Sequence, residues 1–118
     1  MKNLVIILFS VFAFSAVQGQ EKKGGVKETT FKVNGVCGDC KDRIESAALR
    51  TKGVKTASWD KESHDLVVVY NSKKVEEETI QQAVASFGHD TPLVQADSST
   101  YNQLPACCRY KDGAKCGD

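Results

Sequence analysis

Phe31-Lys32-Val33-Asn34-Gly35-Val36-Cys37-Gly38-Asp39-Cys40-Lys41 passes from a strand-like pattern into a helix-like one. Phe31 and Val33 are apolar and Lys32 and Asn34 polar, the period-two alternation of a half-buried strand, and Gly35 marks the turn that follows. From Cys40 onward, Ile44, Ala47 and Ala48 fall at helical spacing, with the charged Lys41, Asp42, Arg43 and Glu45 elsewhere on the surface. Two cysteines with two residues between them therefore lie at a strand-to-helix junction, Cys37 in the loop and Cys40 in the first turn. Sulfurs placed there face the positive end of the helix dipole, which favours the thiolate that binds metal.

Outward from this junction the pattern continues as short alternating elements. A strand over residues 29–36 and a helix over 40–51, closed by Gly53, are followed by a second strand over 54–60. The polar turn 61–64 leads to the β-rich run Asp65-Leu-Val-Val-Val-Tyr70, which makes a hairpin. Glu76, Glu77 and Glu78 open a second helix, Ile80, Ala83, Val84 and Phe87 give its apolar stripe, and Gly88 ends it. Residues 91–96 read as a last strand, with Pro92 suited to an edge or a strand start. The order β-α-β-β-α-β predicts an α+β, ferredoxin-like sandwich with two helices on one face of a four-stranded antiparallel sheet. Its expected core is Phe31, Val33, Ile44, Trp59, Leu66, Val68, Ile80, Val84 and Phe87.

The flanks read differently. Lys2, the apolar run over 4–14 and the small residues of Ala16-Val17-Gln18-Gly19 have the pattern of a secretory signal peptide over residues 1–19. That run is too short to span a bilayer, so no stable membrane insertion is expected after cleavage, and the expected location is secreted, in the periplasm. Residues 20–28 suit a flexible lead-in, 29–96 the domain, and 97–118 a cysteine-containing tail joined by the linker-like Asp97-Ser-Ser-Thr-Tyr-Asn102. A net charge of +1 gives no footprint for nucleic acid. Five cysteines are an odd number, so in an oxidising compartment at least one is free, metal-bound or paired with another chain. No nucleophile–histidine motif and no phosphate-cradling glycine loop is visible, so an enzyme is not expected.

Residues 30–94 resemble the heavy-metal-associated domain of copper chaperones, metal-pumping ATPases and the periplasmic mercury-binding protein. The matching features are Gly35-Val-Cys-Gly-Asp-Cys40, Ile44-Glu-Ser-Ala47, Gly53-Val54, the valine-rich strand after Lys61-Glu-Ser, and Ala83-Val-Ala-Ser-Phe-Gly88. The resemblance implies that Cys37 and Cys40 bind a soft metal and hand it to a metal-transporting ATPase or other acceptor. Gly35-Val36 stands where the family usually has a Met near its first cysteine. His89 stands where bacterial chaperones often have Tyr and eukaryotic ones Lys. Some cyanobacterial chaperones carry His at about this place, which makes His89 a candidate third ligand; the alternative is a solvent-facing turn histidine. His64, in the hairpin turn, is expected to be exposed.

Two thiolates suit Cu(I), a soft d10 ion that accepts near-linear geometry, and Hg(II) obeys the same logic. Zn(II) is less satisfied because it prefers four ligands. An open pair also permits a metal-bridged homodimer. A periplasmic mercury-binding protein and a thiol-disulfide oxidoreductase are the alternatives, although the chain lacks a Trp before Cys37 and has Asp39 where redox motifs often have Pro. Cys107, Cys108 and Cys116 are candidate tail ligands with three readings. One is a disulfide with one spare thiol; another is a second thiolate cluster. In the third, the tail folds back to give Cys37 and Cys40 extra ligands. Adjacent cysteines bridge each other poorly, so Cys107 and Cys108 are expected to face different partners. Tyr101, Leu104 and Tyr110 could pin the tail to the domain or anchor a partner.

Overall fold

The computed structural model describes residues 25–114; the expected signal peptide and Cys116 lie outside the described residues. Three strands, β1 (Val26–Lys32), β2 (Val54–Trp59) and β3 (Asp65–Asn71), form an antiparallel sheet in the order β1-β3-β2. The hairpin partner β3 thus lies in the centre, where Leu66, Val68 and Tyr70 alternate inward, as a half-buried strand requires. Phe31 and Trp59 both stand opposite Leu66, which fixes the register from either side. Helices α1 (Gly38–Leu49) and α2 (Glu77–Ala85) cover one face. They bury Ile44, Ala47, Ala48, Ile80 and Val84 against the strands. Eight of the nine expected core residues are buried, and Phe87 is half-buried beneath the Arg50 guanidinium.

β1 lies upstream of its expected position because it pairs along the whole of β3, from Val26 opposite Asn71 to Lys32 opposite Asp65. Part of the expected lead-in is therefore sheet. The largest departure is the absence of a fourth strand among the described residues. Thr91 turns the chain instead: its N–H and hydroxyl both donate to the Val94 carbonyl, at 2.9 and 3.0 Å. The Gln81 side-chain amide oxygen accepts from Leu93 N–H, and an Asp90 carboxylate oxygen accepts from Ala96 N–H. With Pro92 offering no N–H, side chains take the donors that a ladder would have used. A 3.3 Å bond from Asn34 N–H to the Asp90 carbonyl links this segment to the chain leaving β1.

Beyond Ala96 the chain folds back onto the domain. The expected linker contains a helical turn, α3 (Ser98–Tyr101), with Tyr101 buried, and two short 3-10 turns follow at Ala106–Cys108 and Tyr110–Asp112. Leu104 sits against Gly88, whose φ of +104° ends α2 in the left-handed region. A Cβ on Gly88 would lie 2.9 Å from the Leu104 side chain, so the glycine serves both the backbone turn and the docking of the tail. Tyr110 donates its hydroxyl hydrogen to the Gly88 carbonyl at 2.8 Å and accepts from Asp90 N–H at 3.0 Å. Lys111 pairs with Asp90 at 3.3 Å. Tyr101, Leu104 and Tyr110 thus pin the tail to the domain.

Candidate metal centre

Cys37 is the N-cap of α1, and its carbonyl accepts the first helical bond, from Lys41 N–H at 2.9 Å. The helix therefore begins two residues before its expected start, and Cys40 is its third residue. The Cys37 side chain makes no capping bond, so its sulfur is not engaged in holding the helix end. Cys37 is half-buried and Cys40 fully buried, and both are free thiols. One sulfur thus meets solvent and the other the core.

Trp59 forms the floor of this loop. Its indole N–H donates to the Val33 carbonyl at 3.0 Å, and its ring stacks on His64 with centroids 5.6 Å apart. His64 is accordingly half-buried rather than exposed, at a positive φ of 69°. The ring comes so close to Gly35 that a Cβ there would lie 3.0 Å from two of its carbons and 3.2 Å from the Cys40 Cβ. Glu45 secures the same strand end, accepting from Trp59 N–H at 2.7 Å and from Lys41 Nζ, which also bonds the Trp59 carbonyl. Val36, where the family usually has a Met nearby, packs half-buried against the core. Trp59, Glu45 and Lys41 were not singled out as site residues, and the only sequence signal was Trp59's place in the expected core.

The tail brings two more thiols to this end of the molecule. Cys108 is fully buried and its thiol interacts directly with that of Cys40. Burial first, and then the hydrogen bond with Cys40, push the Cys108 thiol far above its ordinary range. Cys107 is half-buried and donates its S–H to an Asp39 carboxylate oxygen at 3.3 Å, which raises it, and it also feels Cys37. All four described cysteines are free thiols, so no disulfide joins the adjacent pair. Among the described residues, no three His, Cys, Asp or Glu side chains stand ready-made as a metal cage.

His89 is fully buried, so it is not a solvent-facing turn residue. Its Nδ1–H donates to the Asn34 carbonyl at 2.8 Å, and its ring stacks on Tyr110 at 5.6 Å. Nε2 is buried without a hydrogen-bond partner. Burial depresses the imidazole to about 4, aided by Arg43 and opposed by the Asn34 carbonyl and Asp90. The ring is therefore neutral near pH 7, with a free lone pair on Nε2.

Comparison with known proteins matches residues 30–90 to the profile described as heavy-metal-associated domain. A zinc-transporting ATPase of Synechocystis sp. is 38% identical over 65 residues, 54% of this chain and 9% of the ATPase. The copper chaperone CopZ of Staphylococcus epidermidis is 33% identical over 60 residues, 50% of this chain and 88% of CopZ. Among solved structures, a CopZ metallochaperone superposes with a TM-score of 0.54 at 30% identity, covering 55% of this chain and 98% of that protein. The chain thus spans under a tenth of the ATPase and most of the chaperone. The profile ends close to the turn at Thr91, so the tail lies outside it.

Proposed function

Because the chain belongs to the heavy-metal-associated domain family, we propose that it is an extracytoplasmic carrier that captures Cu(I) between Cys37 and Cys40 and passes it to an acceptor protein. The observation that carries this reading is the pair of free thiols at the start of α1, one half-buried and spared from helix capping, the other set in the core. On binding, each thiol gives up its proton and each sulfur forms one bond to Cu(I), whose oxidation state does not change. A thiolate of the acceptor then adds to the metal as a third sulfur. Cys37 leaves first, being the more accessible, and takes up a proton; Cys40 follows. Two sulfurs leave the ion open to such attack, whereas a four-thiolate zinc site is closed. The acceptor proposed is a metal-transporting ATPase, a class to which a relative of this domain belongs by name. The chemistry is ligand exchange and the protein is not an enzyme.

The test is anaerobic titration of the reduced chain with Cu(I), Hg(II) and Zn(II) against competing chelators, with and without the double change Cys37→Ser/Cys40→Ser. Tight Cu(I) binding that disappears in the double variant is the expected result. Binding that persists there overturns the assignment of the site. Stronger retention of Hg(II) than of Cu(I) under matched competition would replace copper delivery with mercury capture at the same cysteines.

A further inference from the structure

The family fold ends where Gly88 and Asp90 meet the tail, yet the tail returns to the metal-binding end. Leu104 docks on Gly88 and Tyr110 clasps the Gly88 carbonyl and the Asp90 N–H. Between these anchors, the 3-10 turn Ala106–Cys108 lies against α1. This turn presents its two cysteines differently. Cys108 is buried in the core cluster that also holds Cys40, and Cys107 faces outward to Asp39. A buried thiol held against a metal-binding thiol by a dedicated strap is not accounted for by a two-sulfur site.

Resting on the carrier reading above, we propose that Cys108 is a third sulfur ligand for the metal held by Cys37 and Cys40, so that the tail turns an open two-thiolate site into a trigonal one. The three thiols are not yet arranged as a cage. Cys40 and Cys108 already share the core, and Cys37 stands half-buried at the start of α1. Its side chain is held by no capping bond and is free to turn about its own side-chain torsion. Soft thiolate ligands suit soft d10 ions, so the donor set fits Cu(I) and Hg(II). The Cys108 proton leaves when its sulfur bonds to the metal, as the other two do. A third sulfur occupies the position that an acceptor thiolate must take, so the strap slows transfer until Cys108 is displaced.

The experiment is X-ray absorption on the reduced full-length chain loaded anaerobically with one equivalent of Cu(I), and separately with Hg(II). Wild type, Cys108→Ser, Cys107→Ser and Cys37→Ser/Cys40→Ser are compared, with Trp59 fluorescence confirming folding. Three sulfurs are expected in the wild type and in Cys107→Ser, and two in Cys108→Ser. Affinity should fall in Cys108→Ser on the order of tenfold or more, the scale on which even groups outside the ligand shell act. Two sulfurs in the wild type overturn the inference while leaving the carrier reading intact, and that measurement holds even if Cys108→Ser does not fold. Unchanged coordination in Cys108→Ser overturns it equally. Tight binding retained in Cys37→Ser/Cys40→Ser overturns the carrier reading itself.

Discussion

Gly35 shows how much of the site is set by one missing side chain. The loop carrying Cys37 can descend onto the Trp59 ring only because nothing projects from Gly35, and the same space borders the Cys40 Cβ. An alanine there must push a rigid indole, held by its bond to Val33, or displace the cysteine. Gly35→Ala should therefore cost about 1–3 kcal/mol through overpacking, seen as a lower urea midpoint. It should also weaken Cu(I) binding, since the Cys40 Cβ is one of the three atoms the new methyl would crowd. Unchanged midpoint and affinity would mean that the ring and the loop yield freely.

The tail is an element whose stability comes from docking. Leu104 is buried, and its removal leaves a hole over Gly88. Leu104→Ala should cost roughly 2–5 kcal/mol of docking energy, enough to release the tail locally while α1, α2 and the sheet stay folded. Hydrogen exchange of the Asp90 amide, which donates to the Tyr110 hydroxyl, reports this directly. Its protection should fall sharply while amides within β3 keep theirs; equal loss in both would show that tail and domain unfold together. This scale also divides what the sequence disclosed from what it did not. The Cys37–Cys40 junction, both helices and the hairpin were legible because each is a local pattern of three or four residues' reach. Leu93 and Val94 looked like strand residues, but Thr91 and Gln81 captured the backbone groups that a fourth strand needed, and Leu93 is left 63% exposed. The meeting of Cys107 with Asp39 spans 68 residues, and no spacing rule foretells it. The same holds for His89, whose burial depends on Tyr110 arriving from the tail.

At the scale of the whole molecule, His89 couples folding to pH. The groups around it are Asn34, whose carbonyl accepts from Nδ1, Asp90, Arg43 and the Tyr110 ring. Asn34 and Asp90 favour the charged ring and Arg43 opposes it, but burial is the largest influence and sets the folded value at about 4, below the ordinary 6.5. The unfolded chain therefore binds more protons between these two values, and stability must fall as pH drops through that window. Above about 7 the imidazole is neutral in both states and contributes no pH dependence. Below the folded value both states are charged and the loss levels off, at about 3 kcal/mol. Asp60, held below its usual value by the Ser63 and Glu62 amides, acts only near and below 3.8 and so leaves most of the window to His89. In the metal-free reduced chain, urea midpoints should decline from pH 6.5 toward pH 4, and the decline should flatten in His89→Phe, which keeps a ring against Tyr110 but cannot titrate. The variant also loses the bond to Asn34, so it should be less stable at pH 7, and its slope rather than its height is diagnostic. The same slope in both proteins would show that the imidazole takes up its proton without leaving the fold.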